Sequence, residues 1–132
     1  MLICCDTILE FEGSILEKPE NPKHCIEMMS SLVGKWHKVF SAHELIFNTK
    51  PNLLRYNWVV EAEAMFGEIP LESLEEYSKT ELPYSHSGGY ELFGLSGSFI
   101  KAIKGSVSSV QGIDIYELSH FVIKGMKEAG WV

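Results

Sequence analysis

The first nine residues constrain the fold of this chain most strongly, because they form an apolar run that carries an acid and a hydroxyl. The run extends from Met1 to Leu9 and is interrupted only at Asp6 and Thr7. Further along, the chain places a lysine against a proline, at Lys18-Pro19. Proteins of the α/β class gather polar groups at the ends of rigid strands. The pattern therefore predicts a strand that presents candidate functional side chains near its end.

Periodic apolar residues predict the first helix. Asn21 suits its N-cap and Pro22 its first position, and Gly34 suits a left-handed residue at its end. Between them an apolar stripe repeats at helical spacing. The stripe consists of Cys25, Met28, Met29, Leu32 and Val33.

Strand-like and helical segments alternate through the rest of the chain. Residues 2–9 are apolar on both faces, which predicts an interior strand of the sheet. This order predicts the α/β class, with a mixed β-sheet flanked by helices in a single domain that covers residues 1–132. The strands are expected over 2–11, 14–17, 36–47, 53–66 and 97–104, with 36–47 and 53–66 as an antiparallel hairpin, and further helices over 71–79 and 114–127.

Composition and charge narrow the possible functions. No apolar run reaches the ~20 residues needed to span a bilayer, and a net charge of −7 argues against binding to a nucleic-acid polymer. A small phosphorylated ligand stays possible if a lysine or a divalent metal supplies positive charge. The three cysteines are an odd number, two of them adjacent, which is not a disulfide framework and favours an intracellular protein. They lack the paired spacing of zinc ligands and are expected to be buried.

Five motifs in the same order resemble the Maf family of nucleotide pyrophosphatases. Cys5-Asp6-Thr7-Ile8 resembles the family's Ala-Asp-Thr-Val, and Leu16-Glu17-Lys18-Pro19 matches its Leu-Gly/Glu-Lys-Pro; the segments 29–39, 66–77 and 87–90 (Ser87-Gly88-Gly89-Tyr90) follow at matching spacing. The resemblance implies a Maf/ITPase-like fold. The family opens with a Ser-x-Ser-Pro-Arg-Arg loop that does not occur in this sequence, so the resemblance implies a domain that is truncated at its N-terminus.

The resemblance also implies an activity and a set of site residues. It implies a cytoplasmic nucleoside triphosphate pyrophosphatase that uses Mg²⁺ or Mn²⁺ and hydrolyses dTTP, UTP or modified nucleotides to the monophosphate and pyrophosphate. Asp6 would be the general base and the metal anchor, Thr7 a specificity residue, and Lys18 a ligand of the phosphates. Gly88 would let the backbone approach the nucleotide. Phe93 stands where the dTTP/UTP branch of the family has glutamine, and would stack on a base or fill the core.

The same residues also have ordinary structural interpretations. Asp6 would then be an acid at the end of a strand, Thr7 a β-branched strand residue, Lys18 a solvated lysine, and Gly88 a turn residue. The alternative function is a non-catalytic Maf-like protein that binds a nucleotide weakly or acts by association, since the arginine loop is absent.

Two histidines and one strand edge complete the expectations. His37 matches a family histidine and is expected to make a structural hydrogen bond, whereas His86 stands where the family usually has lysine. An uncovered strand edge invites pairing with another chain. We therefore expect the protein to form a homodimer or to self-associate in another way.

Overall fold

The computed structural model describes all 132 residues, which are built around one five-stranded sheet. Its strands are β1 (Leu2–Phe11), β2 (Ser14–Leu16), β3 (Trp36–Thr49), β4 (Asn52–Phe66) and β5 (Ile100–Lys104). They lie in the order β2-β1-β3-β4-β5, and every neighbouring pair is antiparallel. The α/β class is confirmed, but the sheet is antiparallel rather than mixed. Two-residue connections join β1 to β2 and β3 to β4, and such short connections allow only antiparallel pairing.

Four helices accompany the sheet: α1 (Pro22–Leu32), α2 (Leu71–Ser78), α3 (Val107–Val110) and α4 (Ile115–Glu128). The signals predicted for α1 are all present. The Asn21 side chain accepts a hydrogen bond of 2.9 Å from the His24 N–H, and Gly34 adopts a φ of +71°. The short helix α3 was not predicted. The longest helix has 14 residues and falls short of what is needed to cross a membrane.

The hydrophobic core lies on one face of the sheet, because alternate side chains of each strand point to the same side. Leu9, Val39 and Phe66 pack there against the buried stripe of α1. Helix α4 covers the other end of the same face. A Cβ atom at Gly125 would lie 2.1 Å from the Phe47 ring, so only glycine allows this close approach. The opposite face of the sheet contributes no buried residue.

Strand β1 is an edge strand over most of its length, which corrects the prediction of an interior strand. Strand β2 has three residues and pairs only with Leu9 to Phe11, whereas residues 2–8 pair with β3 alone. Cys4 and Cys5 are exposed, contrary to expectation, while Cys25 in α1 is buried as predicted. The apolar pattern of β1 does not reveal how short its neighbouring strand is.

His37 makes the structural hydrogen bond that the sequence predicts. The side chain is 1% exposed, and its Nε2 lies 2.7 Å from the Tyr90 hydroxyl oxygen. Burial lowers the pKa of His37 from 6.5 to about 4, because the charged imidazolium loses its hydration. The histidine is therefore neutral at physiological pH and serves the core.

Candidate functional site

A polar cleft of about 230 Å³ lies beside the free edge of β1. It brings together Asp6, Thr7 and Lys18, three of the five site residues predicted from the sequence. The other lining residues come from the end of β1, from the loop between residues 85 and 92, and from α3 and the turn after it: Leu9, Ser85, His86, Ser87, Tyr90, Glu91, Leu92, Val110, Gln111 and Gly112.

Asp6 is exposed at this edge, and its carboxylate is held by the strand itself. One oxygen, Oδ1, accepts a hydrogen bond of 3.0 Å from the Thr7 N–H. That N–H points away from β3, as does the Thr7 carbonyl, which accepts a hydrogen bond from the Ser87 hydroxyl. No side chain of the protein is bonded to the second oxygen of Asp6. The carboxylate is thus oriented and keeps one oxygen for a water molecule or a metal ion.

The Thr7 side chain lies on the opposite face of the sheet from the Asp6 side chain, because successive residues of a strand alternate between faces. Its hydroxyl is held by a buried serine. Its Oγ1 lies 2.9 Å from Oγ of Ser41 on β3. The Ser41 hydroxyl donates in turn to the Ser109 carbonyl in α3, at 2.6 Å. Gly112 completes the contact, because a Cβ atom there would lie 3.6 Å from the threonine oxygen. Helix α3 and its following turn are therefore tied to β1 at the cleft.

Lys18 enters the cleft from the segment after β2. It precedes the buried Pro19, and a residue before proline is restricted to extended backbone. The neighbouring Glu17 carbonyl accepts a hydrogen bond of 3.1 Å from the Gly88 N–H, which fixes this segment to the loop. The Lys18 ammonium is exposed and makes no ion pair within the protein. It is therefore free to bind an anion.

Gly88 and Phe93 do not line the cleft. Gly88 is buried at a φ of +72°, and a Cβ atom there would lie 2.4 Å from the Leu9 side chain. The glycine thus lets the loop approach β1. Phe93 is 77% exposed, so it does not fill the core, although Leu92 beside it lines the cleft.

Sequence reasoning missed several lining residues, above all Glu91, Gln111 and Gly112. Glu91 carries a second carboxylate into the cleft, where one of its oxygens lies 3.7 Å from Nε2 of His86. The serine- and glycine-rich segment 105–112 was a signal of a loop, but nothing local indicated that it reaches β1. Glu91 directly follows the Ser-Gly-Gly-Tyr motif and had no separate signal.

The residues fit a divalent metal ion only together with a ligand. The chain has no cluster of three or more histidine, cysteine or acidic side chains that would hold a metal by itself. Mg²⁺, however, is commonly bound by one or two carboxylates together with phosphate oxygens and water. Asp6 and Glu91 both line the cleft and supply such carboxylates.

Fold and cleft together define an α/β protein with an acid, a hydroxyl and a lysine at one strand edge. Comparison with known proteins identifies its relatives. The Maf-like protein family matches residues 1–124. The chain is 32% identical to the dTTP/UTP pyrophosphatase of Syntrophus aciditrophicus over 130 residues, 98% of this chain and 60% of that protein. This protein belongs to the Maf family.

Two further relatives carry the same name. The dTTP/UTP pyrophosphatase of Idiomarina loihiensis is 31% identical over 118 residues, which is 89% of this chain and 60% of that protein. That of Clostridium tetani is 30% identical over 126 residues, 96% of this chain and 64% of that protein. The chain thus spans about 60% of the length of the curated relatives it matches.

Proposed function

We propose that the protein is a nucleoside triphosphate pyrophosphatase that hydrolyses dTTP, UTP or modified nucleotides to the monophosphate and pyrophosphate. The observation that carries this proposal is that Asp6 and Lys18, from separate elements, line one cleft together with Thr7. A base and a cation for the phosphates are what hydrolysis of a pyrophosphate bond requires. The relatives from Syntrophus aciditrophicus and Idiomarina loihiensis are dTTP/UTP pyrophosphatases, which supports dTTP and UTP as substrates.

In the proposed mechanism Asp6 is the general base. Its Oδ1 is held by the Thr7 N–H, so the other oxygen accepts the proton of the attacking water. The water oxygen forms a bond to the α-phosphorus while the bond from the α-phosphorus to the oxygen bridging the α- and β-phosphates breaks. The leaving oxygen departs with pyrophosphate. Thr7 contributes to specificity, and Phe93 is available to stack on a base.

Lys18 and a divalent metal neutralise the negative charge of the triphosphate. The unpaired Lys18 ammonium binds phosphate oxygens as a point charge. Asp6 and Glu91 are the residues that would hold Mg²⁺ or Mn²⁺. When bound, the metal neutralises charge on the phosphates as a Lewis acid.

The test is pyrophosphate release from dTTP and UTP with Mg²⁺, by the unaltered protein and by Asp6→Ala. Loss of a general base costs about 10²–10⁴-fold in rate. Glu68→Ala is the matched control, because Glu68 is an exposed acid outside the cleft. Equal rates for Asp6→Ala and the unaltered protein would remove Asp6 from the mechanism.

A second candidate function is a nucleotide-binding protein without turnover. The observation that favours it is that Lys18 is the one lysine or arginine among the residues that line the cleft. A nucleoside triphosphate carries several negative charges, and one ammonium neutralises only part of them. Binding of α,β-imido-dTTP without pyrophosphate release from dTTP would favour this candidate over the enzyme.

We also propose that two copies of the chain associate along the free edge of β1. Residues 2–5, which precede the cleft, pair with β3 alone, so their outward backbone groups have no strand partner, and Leu2 is 57% exposed. Exposed edges of this kind pair with other strands unless a charge or a proline blocks them. Light scattering should therefore report a dimer, and Cys4→Lys should shift it to the monomer. A monomer at all concentrations would contradict the proposal.

A further inference from the structure

The hydrogen bonds around Thr7 determine which way its hydroxyl proton points. The Ser41 hydroxyl has one proton, and a carbonyl oxygen can only accept, so that proton goes to the Ser109 carbonyl at 2.6 Å. The contact of 2.9 Å between Thr7 and Ser41 then requires the threonine to donate. The Thr7 oxygen, which lies beside Gly112 in the lining of the cleft, therefore has lone pairs but no proton to offer a ligand.

Ser41 is well placed to maintain this arrangement. Its side chain is fully buried, and it lies directly opposite Thr7 in the pairing of β1 with β3. Its acceptor is held as well, since Ser109 is buried and its N–H and hydroxyl both bond to Ser106. Without Ser41 the Thr7 hydroxyl would be free to rotate and to donate into the cleft.

We propose that Ser41 is a positioning residue that makes Thr7 an obligate hydrogen-bond acceptor, so that the cleft selects a substrate with an N–H or O–H donor at this point. The inference rests on the proposed function, because it concerns how that substrate is chosen. In thymidine triphosphate two groups supply the donor, the imide N–H of the base and the 3′-hydroxyl of the sugar. A phosphate oxygen without a proton does not satisfy the threonine.

The experiment measures the affinity of the protein for α,β-methylene-dTTP, whose bridging group carries no N–H, and for two altered forms of it by calorimetry. One form carries a methyl group on the imide nitrogen, and the other lacks the 3′-hydroxyl. We expect one of the two to bind about five- to tenfold more weakly than the parent, the factor that one neutral hydrogen bond supplies. Which form it is identifies the donor. In Ser41→Ala the freed hydroxyl can still accept but can also rotate and donate, so this ratio should fall below that of the unaltered protein.

Two further variants keep the test decisive. Ser78→Ala is the matched control, because Ser78 is also buried and its hydroxyl also donates to a backbone carbonyl, that of Glu75, but away from the cleft. Its ratio should equal that of the unaltered protein. If thermal melting shows Ser41→Ala to be unfolded, Thr7→Val decides, since it removes the hydroxyl at constant shape and should also abolish the ratio.

The outcomes separate this inference from the proposed function. If the unaltered protein binds no nucleotide, the proposed function fails and the inference fails with it. If it binds all three nucleotides equally, if the ratio is undiminished in folded Ser41→Ala, or if the ratio survives in Thr7→Val, the inference alone fails. A purely steric effect of the added methyl group would survive in Ser41→Ala and is therefore recognised.

Discussion

Replacing Gly88 by alanine should destabilise the protein by about 1–5 kcal/mol, for two separate reasons. The first is the backbone, because a φ of +72° costs a residue with a Cβ atom about 1–2 kcal/mol. The second is packing. The new Cβ would lie 2.4 Å from Cδ2 of Leu9, which is itself 4% exposed and has little room to move. Such overpacking costs about 1–3 kcal/mol.

Gly34→Ala is the matched control for the backbone cause. Gly34 has nearly the same φ, +71°, but a Cβ atom there would meet nothing within 4 Å. Both substitutions also restrict the unfolded chain, which stabilises by about 0.4–1 kcal/mol in each case and cancels in the difference. The difference between the two variants therefore measures the contact with Leu9 and should be about 1–3 kcal/mol.

The assay is urea unfolding followed by tryptophan fluorescence, with the free energy of unfolding determined for both variants and for the unaltered protein. The result bears on the site, because Gly88 was predicted from the sequence to contact the nucleotide. If Gly88→Ala is no less stable than Gly34→Ala, the close packing of the loop on β1 is wrong. If the folded variant instead loses nucleotide affinity at unchanged stability, contact with the ligand is the better explanation.

Three further predictions follow from the same structure. Lys18→Ala should weaken the binding of α,β-imido-dTTP by about 1.5–3 kcal/mol, because a charged hydrogen bond is lost, whereas Lys50→Ala in the distant β3–β4 turn should not change the calorimetric affinity. Since burial lowers the pKa of His37 from 6.5 to about 4, the unfolded chain binds more protons between these values. The free energy of unfolding should therefore fall by up to about 3 kcal/mol as the pH drops from 7 to 4, and His37→Gln should flatten this slope in urea titrations. Two of the three thiols should react with a chromogenic disulfide reagent in the native protein, and Cys25 only after denaturation; three fast thiols would contradict the packing of α1.

The sequence by itself determined the elements that depend on neighbouring residues. Asn21, Pro22 and Gly34 mark the ends of α1 through local hydrogen bonds and backbone preferences, and the structure confirms all three. The hairpin of β3 and β4 was predictable for the same reason, since two long apolar segments flank one polar turn. Five motifs in order, among them those around Asp6 and Lys18, were sufficient to predict a resemblance to the Maf family, which the comparisons confirm.

Only the tertiary structure decided which of these residues meet and which faces are covered. Ser41 and Ser109 are 68 positions apart in the sequence. No local pattern indicates that the Ser41 hydroxyl bonds both to the Ser109 carbonyl and to the Thr7 hydroxyl. Cys4 is exposed because it lies on the face of the sheet that contributes no buried residue, and which face is covered depends on where distant helices pack. Apolar periodicity shows which side chains of a segment favour burial. Whether they are buried depends on where distant segments of the chain pack.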